Sequence, residues 1–142
     1  MTTQEENQLL LIDLCARLPY SVKCEIDDID EPLELESIKF KGDYFIFGNG
    51  VYERYITEIK PYLRPMSSMT EEEAVEIDSM GFAYWTTMIN NDLRSRGPMS
   101  LLDAIITHHK MVKLIDWLNA HHFDYRGLIP MGLALEAPEG MY

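Results

Sequence analysis

The sequence predicts one α+β domain: an N-terminal helix, a four-stranded antiparallel meander forming a small curled sheet or partly open barrel, and a mainly helical C-terminal half. Three observations carry this reading. Helix-spaced apolar residues near the start stop at Pro19, residues 21–60 switch to strand alternation broken by short turns, and helical spacing returns after Thr70. A length of 142 residues suits a single domain, 1–142. Residues 1–65 supply the helix and meander, and residues 66–142 the helical part packed on it.

The first helix opens on a capping box, Thr3 with Glu6, in which side chain and backbone satisfy each other's free groups. Leu10, Leu11, Leu14, Cys15 and Leu18 form its apolar face. Val22, Cys24 and Ile26 then alternate with Lys23 and Glu25. An acidic turn spans residues 27–31. Leu33, Leu35, Ile38 and Phe40 continue the alternation with a slip of phase near Ser37, the mark of a β-bulge. Gly42-Asp43 predicts a hairpin turn, residues 44–47 a third strand stopped by Gly48-Asn49-Gly50, and residues 51–59 a fourth. Pro61 and Pro65 bracket a stiff, non-helical connection.

Thr70 with Glu73 caps a second helix running to about Met80, and Phe82, Trp85, Met88, Ile89 and Leu93 recur at helical spacing before Gly97-Pro98. Ser100 with Asp103 opens the last long helix. Its core side reads as Leu101, Leu102, Ile105, Ile106, Val112, Ile115 and Leu118, fading near His121. The tail to Tyr142 carries Leu128, Ile129, Met131, Leu133 and Leu135, too many apolar groups to leave solvated, so it is expected to pack back on the domain.

The net charge of −12 disfavours direct binding to nucleic acid or anionic membrane, because those affinities rest on cation contacts. A protein partner or self-association is expected instead; no small-molecule ligand can be named. The opening residues carry neither a basic region nor an apolar span, which predicts a cytoplasmic protein. Cys15 and Cys24 read as two buried free thiols, with a Cys15–Cys24 disulfide as the alternative for an exported chain.

No catalytic, cofactor-binding or metal-binding residue is assigned. His108-His109 and His121-His122 lie too far apart on one helix to meet at an ion, and no H-E-x-x-H motif is present. The turn 27–31 lacks the central glycine and distal glutamate of a calcium loop. No serine sits in a nucleophile elbow. The candidate interaction patch is Tyr62, Tyr84, Glu71 and Glu72. The function expected is a non-enzymatic, acidic protein-interaction module. The alternatives are a small metal-dependent or hydrolytic enzyme using the histidine pairs with Asp116 or Asp124, a nucleic-acid mimic, and a homo-oligomeric structural protein.

Three stretches, Leu14 to Tyr20, Lys60 to Thr70 and Asp116 to Ile129, resemble small uncharacterised proteins of gut Bacteroidales genomes and their phages. The resemblance covers about a quarter of the chain. It implies an origin, including a prophage one, and a cytoplasmic compartment. No activity is assigned to that group, so it carries over no catalytic residue.

Overall fold

The computed structural model describes residues 1–80 and 101–142, with side chains in the last helix from His109 onward. The expected helix over Phe82–Leu93, Tyr84 of the candidate patch and the Ser100 cap lie outside the described residues. The chain forms two compact units, one of residues 1–66 with 119–142 and one of residues 67–118.

The first unit is α+β. Helix α1 spans Thr3–Arg17. Its capping box is one residue earlier than the spacing suggested: Thr2 Oγ1 accepts from Glu5 N–H at 3.3 Å, and the Glu5 carboxylate accepts from Thr2 N–H at 2.6 Å. The buried stripe is Leu10, Asp13, Leu14 and Arg17. Neighbouring helical residues point about 100° apart. This stripe therefore turns Cys15 out to solvent, correcting its expected burial; Cys24 is buried, and neither cysteine is paired.

The sheet has six strands rather than four and is mixed rather than antiparallel. They are β1 Lys23–Ile26, β2 Ile29–Lys39, β3 Tyr44–Phe47, β4 Tyr52–Arg54, β5 Ile59–Leu63 and β6 Leu135–Glu136, in the order β4-β3-β2-β1-β5-β6. The β5–β6 pair is parallel and the others are antiparallel. The expected fourth strand breaks at Tyr55, where a 3₁₀ turn over Ile56–Glu58 separates β4 from β5. The bulge near Ser37 is present: the register between β2 and β3 shifts between Leu35 and Ser37. The acidic turn contracts to Asp27-Asp28, and the residues after it enter β2.

Pro61 is in a strand, not a connection. Asp27 N–H bonds to Glu58 O at 3.1 Å. Hydrogen-bonded pairs alternate along an antiparallel ladder, so the Cys24–Pro61 pair falls at a non-bonded register that needs no donor from proline.

The topology forces curvature. In a flat sheet β4 and β5 would lie about 19 Å apart, at ~4.8 Å per strand. The link Tyr55–Glu58 spans roughly 17 Å even fully extended, and a 3₁₀ turn shortens it. The strands therefore curl, without closing, around a core of Leu10, Leu14, Val22, Cys24, Leu35, Phe45, Phe47 and Leu63.

The tail returns to this core, placing Leu128 and Ala134 in it and β6 beside β5. Its anchor is polar and buried. Arg17 Nε donates to Asp13 Oδ2 at 2.7 Å, Arg17 Nη2 donates to Asp13 Oδ1 at 3.1 Å and to the Phe123 carbonyl at 2.7 Å, and Arg126 Nε lies 3.2 Å from Asp13 Oδ1.

In the second unit, α2 spans Glu71–Ser79 behind the expected Thr70–Glu73 capping box, and α3 runs from Leu101, reaching Ala120 in the first unit. The core side of α3 differs from the expectation. Leu114, Trp117 and Leu118 are buried while Val112 and Ile115 are exposed, so the stripe is rotated toward Trp117.

Asp13 and Arg17 are both fully buried, so removing one leaves an unpaired charge in the interior. Arg17→Ala is expected to cost about 3–5 kcal/mol in chemical denaturation, whereas Asp13→Leu with Arg17→Met should cost much less. Equal losses in the single and double variants would refute the pairing as the source.

Candidate interaction surface

The β2–β3 connection carries the strongest conformational signal in the first unit. Phe40, Lys41 and Gly42 all have positive φ, at 51°, 57° and 104°. Only glycine adopts this region without cost, and a bulky side chain there is a genuine outlier. Gly42 fits because a Cβ would come within 2.6 Å of Leu11 Cδ1. Phe40 has no such excuse, and the residue is 72% exposed. It therefore carries two costs at once, a strained backbone and a solvated aromatic face. Strain of this kind concentrates at binding and switching sites.

Phe40 is part of an aromatic row. Its ring meets Tyr44 edge-on with centroids 6.0 Å apart, and Tyr44 meets Tyr55 at 5.3 Å. The Tyr44 phenol is held above its ordinary range, first by its hydrogen bond with Tyr55 and then by Tyr55, Glu53 and Asp43 charge. β3 fixes Tyr44 through the Lys39–Tyr44 register, and the start of the 3₁₀ turn fixes Tyr55, whose N–H donates to the Glu58 carboxylate at 2.7 Å. Lys39 and Glu53 pair beside the row at 3.2 Å. The result is an exposed, apolar, locally charge-balanced strip.

The residues singled out from sequence fall elsewhere. Tyr62 is half-buried on β5, and its carbonyl accepts from the Tyr142 hydroxyl. Glu71 and Glu72 are exposed in the first turn of α2, in the other unit. Phe40 and Tyr55 were missed because both read as ordinary strand residues. The available signal was Lys41-Gly42-Asp43, a turn close enough to take Phe40 out of the strand.

His109 is exposed, and the side chain of His108 lies outside the described residues. His122 is buried with φ 63°, caps the end of α3 and stacks on Tyr142 at 3.5 Å. Burial, then Arg17, His121, Arg64 and Lys23, lowers its pKa to about 4. Of the two carboxylates nearest in sequence, Asp116 is exposed on α3, and Asp124 is committed, accepting from Leu128 and Ile129 N–H at 2.8 and 2.9 Å. Among the described residues no three histidine, cysteine, aspartate or glutamate side chains gather where they could hold a metal ion.

The outer face of the sheet mixes its charges. Lys23 lies opposite Glu34, and Glu25 opposite Lys60. A phosphate-mimicking ridge would need like charges in those positions. No described helix is long and apolar enough to cross a membrane. No family model, curated protein or solved structure matches the chain.

Two outcomes are expected. Phe40→Asn, which tolerates the left-handed region, should stabilise the fold by about 1 kcal/mol in thermal or chemical unfolding; a loss of stability would contradict the strain. For His122, the unfolded chain binds a proton near pH 6.5 and the folded chain only near 4. Stability from the neutral ring is thus complete above pH 6.5 and is lost as pH falls toward 4, by on the order of 3 kcal/mol. His122→Phe should flatten that part of the stability–pH curve, and an unchanged curve would contradict it.

Proposed function

We propose that this chain is a non-catalytic protein-interaction module that presents Phe40, Tyr44 and Tyr55 to a partner protein. One observation carries the reading: a phenylalanine held in a left-handed backbone and 72% exposed to water. Such a residue lowers stability in the free chain, and covering its ring on a partner would recover hydrophobic free energy. Aromatic anchors dominate the binding energy of protein interfaces. The balanced charges around the row, Lys39 with Glu53 and Lys41 near Asp43, suit a partner surface rather than a polyanion or a lipid headgroup.

The resemblance to proteins of gut Bacteroidales genomes and their phages belongs to the same proposal, as does action in the cytoplasm. The exposed thiol of Cys15, unpaired, suits a reducing compartment. Of the two carboxylates that the hydrolytic alternative invokes, Asp116 and Asp124, the second already accepts two backbone N–H donors, which speaks against it as a catalytic group.

The test is affinity capture from a lysate of a gut Bacteroidales strain, with wild-type protein and a Phe40→Ser/Tyr55→Ser variant in parallel. The expected result is a protein recovered by the wild type and reduced tenfold or more by the variant, about 1.4 kcal/mol or more of binding energy. Equal recovery by both proteins, with the variant still folded, would sink the reading.

A further inference from the structure

The end of the β1–β5 ladder is closed by a side chain. The ladder stops at the Cys24–Pro61 pair. Beyond it the Tyr142 hydroxyl accepts from Lys23 N–H at 2.9 Å and donates to the Tyr62 carbonyl at 2.9 Å. A phenol is both donor and acceptor, so it takes the place of the next ladder bond. The Tyr142 ring lies flat on the His122 imidazole, with centroids 3.5 Å and planes 14° apart. The tail between Ala134 and Tyr142 rests on thin contacts. β6 contributes two residues, Ala137 N–H donates to the Leu63 carbonyl at 2.7 Å, and Pro138, Glu139 and Gly140 are exposed. A turn from the Pro138 carbonyl to Met141 N–H then brings Tyr142 back onto His122.

His122 fits this place only as a neutral ring. Its Nδ1 is buried and has no hydrogen-bond partner among the described residues. With a proton added, Nδ1 would be a charged donor facing no acceptor. The groups acting on the ring are cationic or can become so: Arg17 from α1, His121 at the end of α3, Arg64 after β5 and Lys23 from β1. The nearby carboxylates are engaged. Asp13 holds Arg17, Asp124 accepts from Leu128 and Ile129 N–H, and Glu34 of β2 acts on the Tyr142 phenol. An imidazolium in this position is opposed by burial and by its neighbours together, and solvation outside it removes both penalties.

We infer that His122 and Tyr142 form an acid-released latch: a proton on the imidazole drives the ring from among the cations, frees the Tyr142 phenol and lets residues 135–142 lift from β5 while the core stays folded. The core survives because Leu128 and Ala134, the tail's buried anchors, precede the released stretch. Lifting it uncovers the outer edge of β5 and leaves the Lys23 N–H and the Leu63 carbonyl open to water. The direction with pH follows from the proton's preference. The closed form binds it near pH 4 and the open form near 6.5. The latch is therefore fully closed above pH 6.5 and loosens as pH falls toward 4. Between pH 7.5 and pH 5 the open fraction rises about 30-fold.

The test is native-state amide hydrogen exchange by NMR on the full chain at pH 7.5 and pH 5, each rate divided by the intrinsic rate at that pH. The Ala137 and Lys23 amides, both held through the tail, should lose about 30-fold in protection at pH 5. The amide of Leu14, buried in α1, should keep its own. His122→Phe should abolish the loss, and His122→Asn, which tolerates the left-handed backbone, serves if phenylalanine unfolds the chain. His121→Gln should leave the loss in place. Tyr142→Phe keeps the stacked ring without its hydroxyl, so it should lower Lys23 protection roughly tenfold at pH 7.5. An equal loss at Leu14, no loss at Ala137 and Lys23, a loss that survives in the His122 variants or vanishes in His121→Gln, or an unchanged Lys23 amide in Tyr142→Phe would each overturn the latch.

Discussion

The Asp13–Arg17 pair is the constraint on which the first unit depends. Two ionised groups in a dry interior are tolerable only when their hydrogen-bonding capacity is nearly filled. Asp13 meets this by accepting from Arg17 and contacting Arg126; Arg17 meets it at Nε and Nη2 through Asp13 and the Phe123 carbonyl, while its buried Nη1 has no hydrogen-bond partner among the described residues. These contacts join α1 to a segment 106 residues further along the chain. They fix the phase of α1, which in turn puts Leu10 and Leu14 under the sheet and Cys15 in water. They also hold Phe123 where the tail can enter beside β5. Arg64 supports the same place from the end of β5: its guanidinium carbon lies 4.2 Å from the Phe123 ring centroid, and its backbone bonds to His122 and Asp124.

Curvature connects this anchor to the candidate surface. The short Tyr55–Glu58 link draws β4 toward β5, so the sheet wraps over α1 and brings the Phe40 loop against Leu11. The bulge at Glu36 serves the opposite end of the same strands. It aims the carboxylate at the β3–β4 turn, where it accepts from Asn49 N–H at 2.5 Å and Gly50 N–H at 3.2 Å. One end of the β2–β3–β4 ribbon is thereby tied down by a pair of charge-assisted hydrogen bonds at the surface, while the other end carries strain and exposed rings. That division places rigidity in the scaffold and the costly residues at the surface that can be covered.

Helix α1 is divided in the same way. Gln4, Asn7 and Gln8 recur on the side of the helix that faces the Phe40 loop, while Leu10 and Leu14 take the core side. A single short helix thus contributes both packing and a polar wall, its turns partitioned by the phase that Asp13 and Arg17 impose.

Much of the fold was legible in the residues themselves. The capping box at Thr70, the helix end before Pro19, the bulge near Ser37 and the turn at Gly48–Gly50 depend on contacts a few residues apart, so local chemistry dictates them. The first capping box was misplaced by one residue because Thr2 and Thr3 offer the same hydroxyl. The candidate surface was much less legible: an alternating Phe40 looks like strand until the backbone on its C-terminal side is known to turn left-handed. The sequence alone determined an α+β chain with an N-terminal helix, a curling meander and a returning tail. Tertiary structure alone decided that Asp13 and Arg17 are interior, that residues 51–59 break into two strands, that Pro61 belongs to β5, and that the tail supplies β6. The physical reason is distance along the chain: each of these depends on partners remote in sequence, whose energies enter only once the sheet has curled and the tail has docked.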